Sequence, residues 1–171
     1  IINCCHASLY RLGTDYIDLY QCHVGIPEHP EIFVEAFELL KKQGKIRYYA
    51  ISTNDLPSLK AINSLEGCAA CQINYSLLSR SAEKDILPFC HKNNIGVLLR
   101  GPLAQGMLSD KFSADTRFED SVRQKWNPDS DQHEHFLSNL EKIKALRELV
   151  TGERSMVDLA LQFVLAHPAV T

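Results

Sequence analysis

The stretch Tyr16-Ile17-Asp18-Leu19-Tyr20-Gln21-Cys22-His23 decides how the chain is read. It is a strand candidate that ends on an imidazole, a group a bare core would not want. Three more short apolar runs end in the same way. Ile46-Arg47-Tyr48-Tyr49-Ala50-Ile51 ends on Ser52, Ala69-Ala70-Cys71 runs into Gln72, and Gly96-Val97-Leu98-Leu99 ends on Arg100. A helical pattern follows each run. Strand then helix, repeated, predicts a parallel sheet, because parallel strands require a crossover connection. The first three strand starts lie roughly 25–30 residues apart, the size of one βαβ unit. This is the layout of a parallel α/β barrel, whose chemistry sits at the carboxyl ends of its strands.

Working outward, Ile2, Cys5, Leu9 and Leu12 recur at helical spacing before the first strand, and Gly13 stops that helix in a left-handed cap. After the strand, Pro30 suits the first turn of a helix whose apolar face is Ile32, Phe33, Ala36, Phe37, Leu39 and Leu40. Lys41, Lys42 and Gly44 close it. Asp55 caps the next helix, which buries Leu59, Ile62 and Leu65 and ends at Gly67. Ser79 or Ser81 opens a helix through Ile86, Leu87, Phe89 and Cys90. Gly101 to Pro128 then lacks a period, and a connection of that length is usually functional or mobile. A helix from about His133 to Val150 turns Phe136, Leu137, Leu140, Ile143, Leu146 and Leu149 inward. Ser155-Met156-Val157-Asp158 resembles a capping box, opening a last helix that ends at His167-Pro168.

The chain has 171 residues, a net charge of -3 and 45% hydrophobic residues, the balance of one globular domain spanning 1–171. Without clustered Lys and Arg, nucleic acid and anionic membrane surfaces are not predicted partners. No run approaches the roughly 18 apolar residues of a membrane span. The six cysteines read as reduced core thiols of a cytoplasmic protein. Cys68-Ala69-Ala70-Cys71 has redox-motif spacing, but the pair leads into a strand rather than opening a helix. Cys4-Cys5-His6 has no second ligand pair at zinc spacing, so no metal is predicted. Residue 1 is Ile within a helical pattern, and Ala166 to Thr171 stops where a strand is due. Both ends are expected to be cut from a longer protein.

Four motifs name a family. Leu12-Gly13-Thr14-Asp15-Tyr16-Ile17-Asp18-Leu19-Tyr20-Gln21-Cys22-His23 closely resembles the aldo-keto reductases. So do Gly44 to Ser52, Gln72-Ile73-Asn74-Tyr75-Ser76-Leu77-Leu78-Ser79-Arg80, and Gly101-Pro102-Leu103-Ala104-Gln105-Gly106-Met107-Leu108. They fall in family order across essentially the whole chain. The resemblance implies a (β/α)8 TIM barrel of which this chain supplies about half, from the third barrel helix to just short of the eighth strand. It implies reduction of aldehyde or ketone carbonyls with NADP(H), or as second choice NAD(H). The family's catalytic Asp, Tyr and Lys positions would lie outside this chain, so the chain alone is expected to be inactive.

The resemblance also implies roles, each weighed against a plainer one. His23 matches the active-site histidine, where an imidazole orients a substrate carbonyl or helps a Tyr act as acid. The plainer reading is a hydrogen-bonded structural His. Val24-Gly25-Ile26 stands where the family usually has Trp or Pro. Ser52 and Gln72 match side chains that hydrogen-bond the nicotinamide carboxamide, the alternative for Ser52 being a helix cap. Thr53 stands where many members have Asn and could add a hydroxyl; Asn54 is the next polar candidate. Arg100 replaces an aromatic residue that stacks on the nicotinamide. A guanidinium also stacks, but suits the neutral reduced ring better than the cationic oxidised one. The alternative is a salt bridge at the barrel rim. Gly101, Pro102, Leu103 and Gly106 belong to the loop that wraps the pyrophosphate. Lys111 matches a phosphate-reaching position and Arg117 is a second; both could instead be solvated cations. Tyr75 reads as a packing or pocket residue, Met107 and Met156 as core, and Trp126 as an anchor or a lid.

Two rival readings stand beside the reductase. One is a non-enzymatic nicotinamide-binding relative resembling a potassium-channel subunit, against which His23 argues. The other is a half-barrel whose open sheet edges require a partner, either the other half of the barrel or a second copy.

Overall fold

Cys22, Ile51, Cys71 and Val97 stand side by side in one row across four parallel strands. The computed structural model describes residues 1–171. Its strands are β1 (Ile17–Cys22), β2 (Ile46–Ser52), β3 (Cys68–Asn74) and β4 (Gly96–Arg100), paired in sequence order. The helices are α1 (Ile2–Leu12), α2 (Pro30–Lys42), α3 (Leu56–Ile62), α4 (Ile86–Lys92), α5 (His133–Leu146) and α6 (Met156–Leu165). Four parallel strands joined in order by helical crossovers make half of a (β/α)8 barrel, the class that the strand–helix rhythm predicts.

Two compact units make up the chain. The first comprises residues 1–74, 81–100 and 168–171 and holds the sheet. Alternation along each strand gives the sheet two faces. One packs against helices: Phe37 of α2 stacks on Tyr49 at 5.0 Å and meets the edge of Tyr20 at 6.0 Å. Leu40, Ile51, Leu59, Ile62, Leu87 and Val97 are fully enclosed. Burying each such side chain is worth about 1.5–3 kcal/mol, which holds the crossovers down on the strands. Residues of the opposite parity, among them Gln21, Ser52 and Gln72, face the other way. The local signals in the sequence are used as read. Gly13 adopts φ 65 and closes α1, and Asp55 accepts the Ser58 N–H at 2.8 Å to start α3. Beside β4, the Thr171 N–H donates to the Val97 carbonyl at 3.3 Å.

The second unit comprises residues 75–80 and 101–167. Trp126 stacks on Phe136 at 5.6 Å, and Phe118 stands edge-on to both rings. Met107, Leu108, Ile143, Met156 and Ala160 complete this core. Trp126 is therefore an anchor, not a lid. Ser155 and Asp158 form the capping box of α6. No helix is long and apolar enough to cross a membrane.

Several apolar residues expected inside are exposed. Leu65 is 64% exposed because α3 ends at Ile62 and Asn63 takes the cap. Leu149 is 59% exposed because α5 stops at Leu146 and a 3-10 turn over Arg147–Leu149 changes the period. Leu12 occupies the last, capped turn of α1 and is exposed. On α2 the buried set is Val34, Ala36, Phe37 and Leu40, and Ile32 and Leu39 lie on its exposed flank. The helix expected from Ser79 or Ser81 divides into a 3-10 turn, Ser81–Lys84, and α4, whose start Asp85 caps through the Ile86 N–H.

Candidate functional site

The first unit carries five of the predicted site residues at the carboxyl ends of its strands. Cys22 is buried at the end of β1 and His23 follows it, exposed. Ser52 ends β2 and pairs in register with Gln72 of β3. Register places both side chains on one face, and the Ser52 hydroxyl donates to Gln72 Oε1 at 3.3 Å. Ser52 does not cap the following helix; Asp55 does. Two hydrogen bonds from Ser58 hold the Asp55 carboxyl below the usual carboxylate range, the hydroxyl contributing most and the backbone N–H next.

Gln72 Oε1 accepts a second bond, from Gln21 Nε2 of β1 at 3.4 Å. Its oxygen is thus engaged on both sides, and its Nε2 is the free end of the amide. Ser52, having spent its proton on Gln72, retains lone pairs. One free donor beside one free acceptor is the complement of a carboxamide, which presents an acceptor oxygen and a donor nitrogen. The residues present therefore fit the nicotinamide end of the predicted cofactor.

Thr53 does a different task. Its hydroxyl donates to the Gly25 carbonyl and accepts from the Asp55 N–H at 3.0 Å. Its own N–H donates to the Gln72 carbonyl at 3.1 Å. Thr53 is buried, and its side chain ties the loop after His23 to the end of β2. That hydroxyl holds the backbone rather than standing open to a ligand.

Arg100, the last residue of β4, makes no rim salt bridge in this arrangement; its Nη2 donates to Asn54 Oδ1 at 3.2 Å. Asn54 Oδ1 also accepts the Asn74 N–H at 3.2 Å, and Asn54 Nδ2 donates to the Asn74 carbonyl at 3.4 Å. The Asn54 side chain thus pairs with Asn74 as a strand backbone would. It gives the guanidinium a neutral anchor, so the cation's charge is not cancelled by a carboxylate there.

The remaining predicted residues lie in the second unit. Between Gly101 and Asp110 the backbone enters the left-handed region at Gly101, Ala104, Gln105, Gly106 and Asp110. Ala104, Gln105 and Gly106 are left-handed in succession, and the Ala104 and Leu108 N–H groups are taken by the Gly101 and Leu103 carbonyls within the loop. At Gly106 φ is 94, and an added Cβ would sit 3.3 Å from the Phe112 ring. Pro102 and Leu103 lead into this segment, and Gly106 N–H donates to the Leu103 carbonyl at 3.0 Å. Lys111 is exposed. Arg117 is exposed and donates to the adjacent Thr116 carbonyl at 3.2 Å. Arg123 by contrast is committed, paired with Asp120 at 2.8 Å and lying over Phe112 and Phe118.

Tyr75 is buried against Phe163 at 5.5 Å, a packing residue. All six cysteines are free thiols. Burial pushes Cys68 up to about 12. Cys71 is raised by its hydrogen bond with Cys90 and by burial. Gln21 was not among the residues singled out from sequence. Strand alternation places it on the face of Ser52 and Gln72, but an amide in a strand carries no signal of its own.

Comparison with known proteins identifies the family and the fold. A family model described as the aldo/keto reductase family matches residues 1–171. The uncharacterized oxidoreductase YqkF of Bacillus subtilis is 35% identical over 164 residues, which is 95% of this chain and 51% of that protein. The methylglyoxal reductase YeaE of Escherichia coli is 43% identical over 107 residues, 61% of this chain and 38% of that protein. A solved aldo/keto reductase from Klebsiella pneumoniae, in complex with NADP and acetate, is 30% identical with a TM-score of 0.66. The match covers 97% of this chain and 50% of that one. The chain spans about half the length of the curated relatives it matches.

Proposed function

The chain belongs to the aldo/keto reductase family, and from that premise we propose that the protein is an NADP(H)-dependent oxidoreductase that reduces aldehyde or ketone carbonyls. The observation that carries this reading is the Ser52–Gln72 pair, whose free acceptor and free donor complement a carboxamide. A bound reduced nicotinamide would supply a hydride to the carbonyl carbon. Ser52 and Gln72 would fix which face of the ring is presented. Arg100, anchored by Asn54, would lie against the ring. Gly101, Pro102, Leu103 and Gly106 would line the pyrophosphate, with Lys111 and Arg117 available to phosphate groups. Thr53 would act by holding the loop that carries His23, and His23 would orient the substrate carbonyl.

The NADP complex of the Klebsiella relative favours NADP(H) over NAD(H). The name of the Escherichia relative favours a small carbonyl substrate. The residues assigned to this chain form the cofactor side of the site, together with His23. The buried free thiols suit a reducing compartment such as the cytoplasm.

The test is fluorescence titration of the full-length protein with NADPH, followed by loss of NADPH absorbance on adding methylglyoxal. Binding with turnover of this or another small carbonyl supports the proposal. Binding without any turnover favours the non-enzymatic relative, and no binding overturns both.

A further inference from the structure

Gln21 lies in β1 two residues before His23, and its amide is not accounted for by packing or by any role assigned above. Its Nε2 donates to Gln72 Oε1 at 3.4 Å, across two strand intervals and 51 residues of sequence. The Ser52 hydroxyl donates to the same oxygen at 3.3 Å. A glutamine amide can present either end by rotating about its last bond, and the two ends have opposite hydrogen-bonding character. Two donors converging on one end tie that choice to the orientation of both donor groups. The oxygen must face Gln21 and Ser52, because turning the NH2 group toward them would oppose donors to donors.

We propose that Gln21 is a positioning residue that holds Gln72 with its NH2 group presented, so that Gln72 donates to the nicotinamide carboxamide oxygen. This rests on the cofactor role proposed above for Gln72. Gln21 touches no cofactor atom; it selects the polarity of the residue that does. Ser52 alone does not suffice, because a hydroxyl reverses its own donor and acceptor ends to follow a flipped amide. Gln21 cannot follow without rotating in turn. Gln72 is therefore reversed only by a concerted turn of all three groups, whereas beside Ser52 alone a hydroxyl rotation would be enough.

Two variants of the full-length protein separate positioning from structure. Gln21→Glu replaces the donor with an acceptor of the same shape, which draws Gln72 NH2 inward and presents its oxygen instead. Gln21→Leu removes the lock without reversing it. Each is titrated with NADPH and with 2′-phospho-ADP-ribose, which shares the phosphates but lacks nicotinamide. The reduced ring is uncharged, so the added carboxylate does not act on it as a charge. Gln21→Glu is expected to weaken NADPH about tenfold, the loss from one opposed hydrogen bond. Gln21→Leu should fall between it and wild type, with 2′-phospho-ADP-ribose binding unchanged in both. Equal NADPH affinity in wild type and Gln21→Glu overturns the proposal, as does equal weakening of both ligands. A wild-type protein that binds 2′-phospho-ADP-ribose but gains nothing from the nicotinamide overturns instead the role proposed for Gln72.

Discussion

Ser52 and Gln72 occupy the same register row on adjacent strands, and the hydrogen bond between them, 3.3 Å from Oγ to Oε1, couples the hydrogen-bonding character of the two side chains. Neither residue is free to choose its polarity independently. Removing either should therefore cost cofactor binding, and removing both should cost less than the product. Ser52→Ala and Gln72→Leu are each expected to weaken NADPH by about fivefold to tenfold. A double-mutant cycle on dissociation constants checks the coupling, which two independent contacts would not show.

Arg100 has a neutral partner, Asn54, so its positive charge is uncompensated at that contact. If it lies against the nicotinamide, the oxidised ring meets a like charge and the reduced ring does not. Wild type should favour NADPH over NADP+ through this contact, and Arg100→Tyr should shrink the preference by roughly fivefold, as for unit charges about 4 Å apart in a water-like medium. Dissociation constants for both redox states measure it, and an unchanged ratio would sink the idea.

Gly106 is constrained twice, by φ 94 and by the Phe112 ring. Gly106→Ala should destabilise the protein by about 1–3 kcal/mol, the range for a side chain forced into a sparsely populated backbone region. Gly25→Ala is the control: nothing lies within 4 Å of its added Cβ. Urea midpoints at constant slope report the difference.

Asp55 caps α3 next to the site, and its carboxyl is held below the ordinary range by Ser58. Its folded value is depressed, so the stability it adds is fully present above the unfolded value, about 3.9. That contribution disappears as pH falls through the depressed folded value. Asp55→Asn keeps a capping oxygen but cannot titrate. Plots of urea midpoint against pH should show the variant lacking this part of the acid-side decline.

The thiols should react in two classes. Cys4 is exposed, whereas Cys5, Cys22, Cys68, Cys71 and Cys90 are buried. Burial also raises Cys5, Cys22 and Cys68, the last to about 12, so little thiolate is present near neutrality. Within this chain, mass spectrometry after a brief exposure to iodoacetamide should find Cys4 alkylated first and the others only after unfolding.

Helix punctuation was legible in the sequence where one residue acts locally. Gly13, Asp55 and the Ser155–Asp158 box behave as their types require, because each bond spans only a few residues. Helix ends were less legible. Leu65 and Leu149 continue an apolar period beyond the point where the backbone leaves the α-helix, and periodicity does not record that change.

The sequence by itself determined the parallel strand–helix order, the four polar strand ends and the family, since these depend on local pattern and motif order. Only the tertiary structure decided how the polar ends are employed. It commits Thr53 to Gly25, gives Arg100 the neutral Asn54 as partner, and brings Gln21 to Gln72. Alternation assigns a side chain to a face, but which atom it satisfies depends on the register of strands formed from distant segments. That register arises from packing the whole sheet against its helices, which a single segment does not encode.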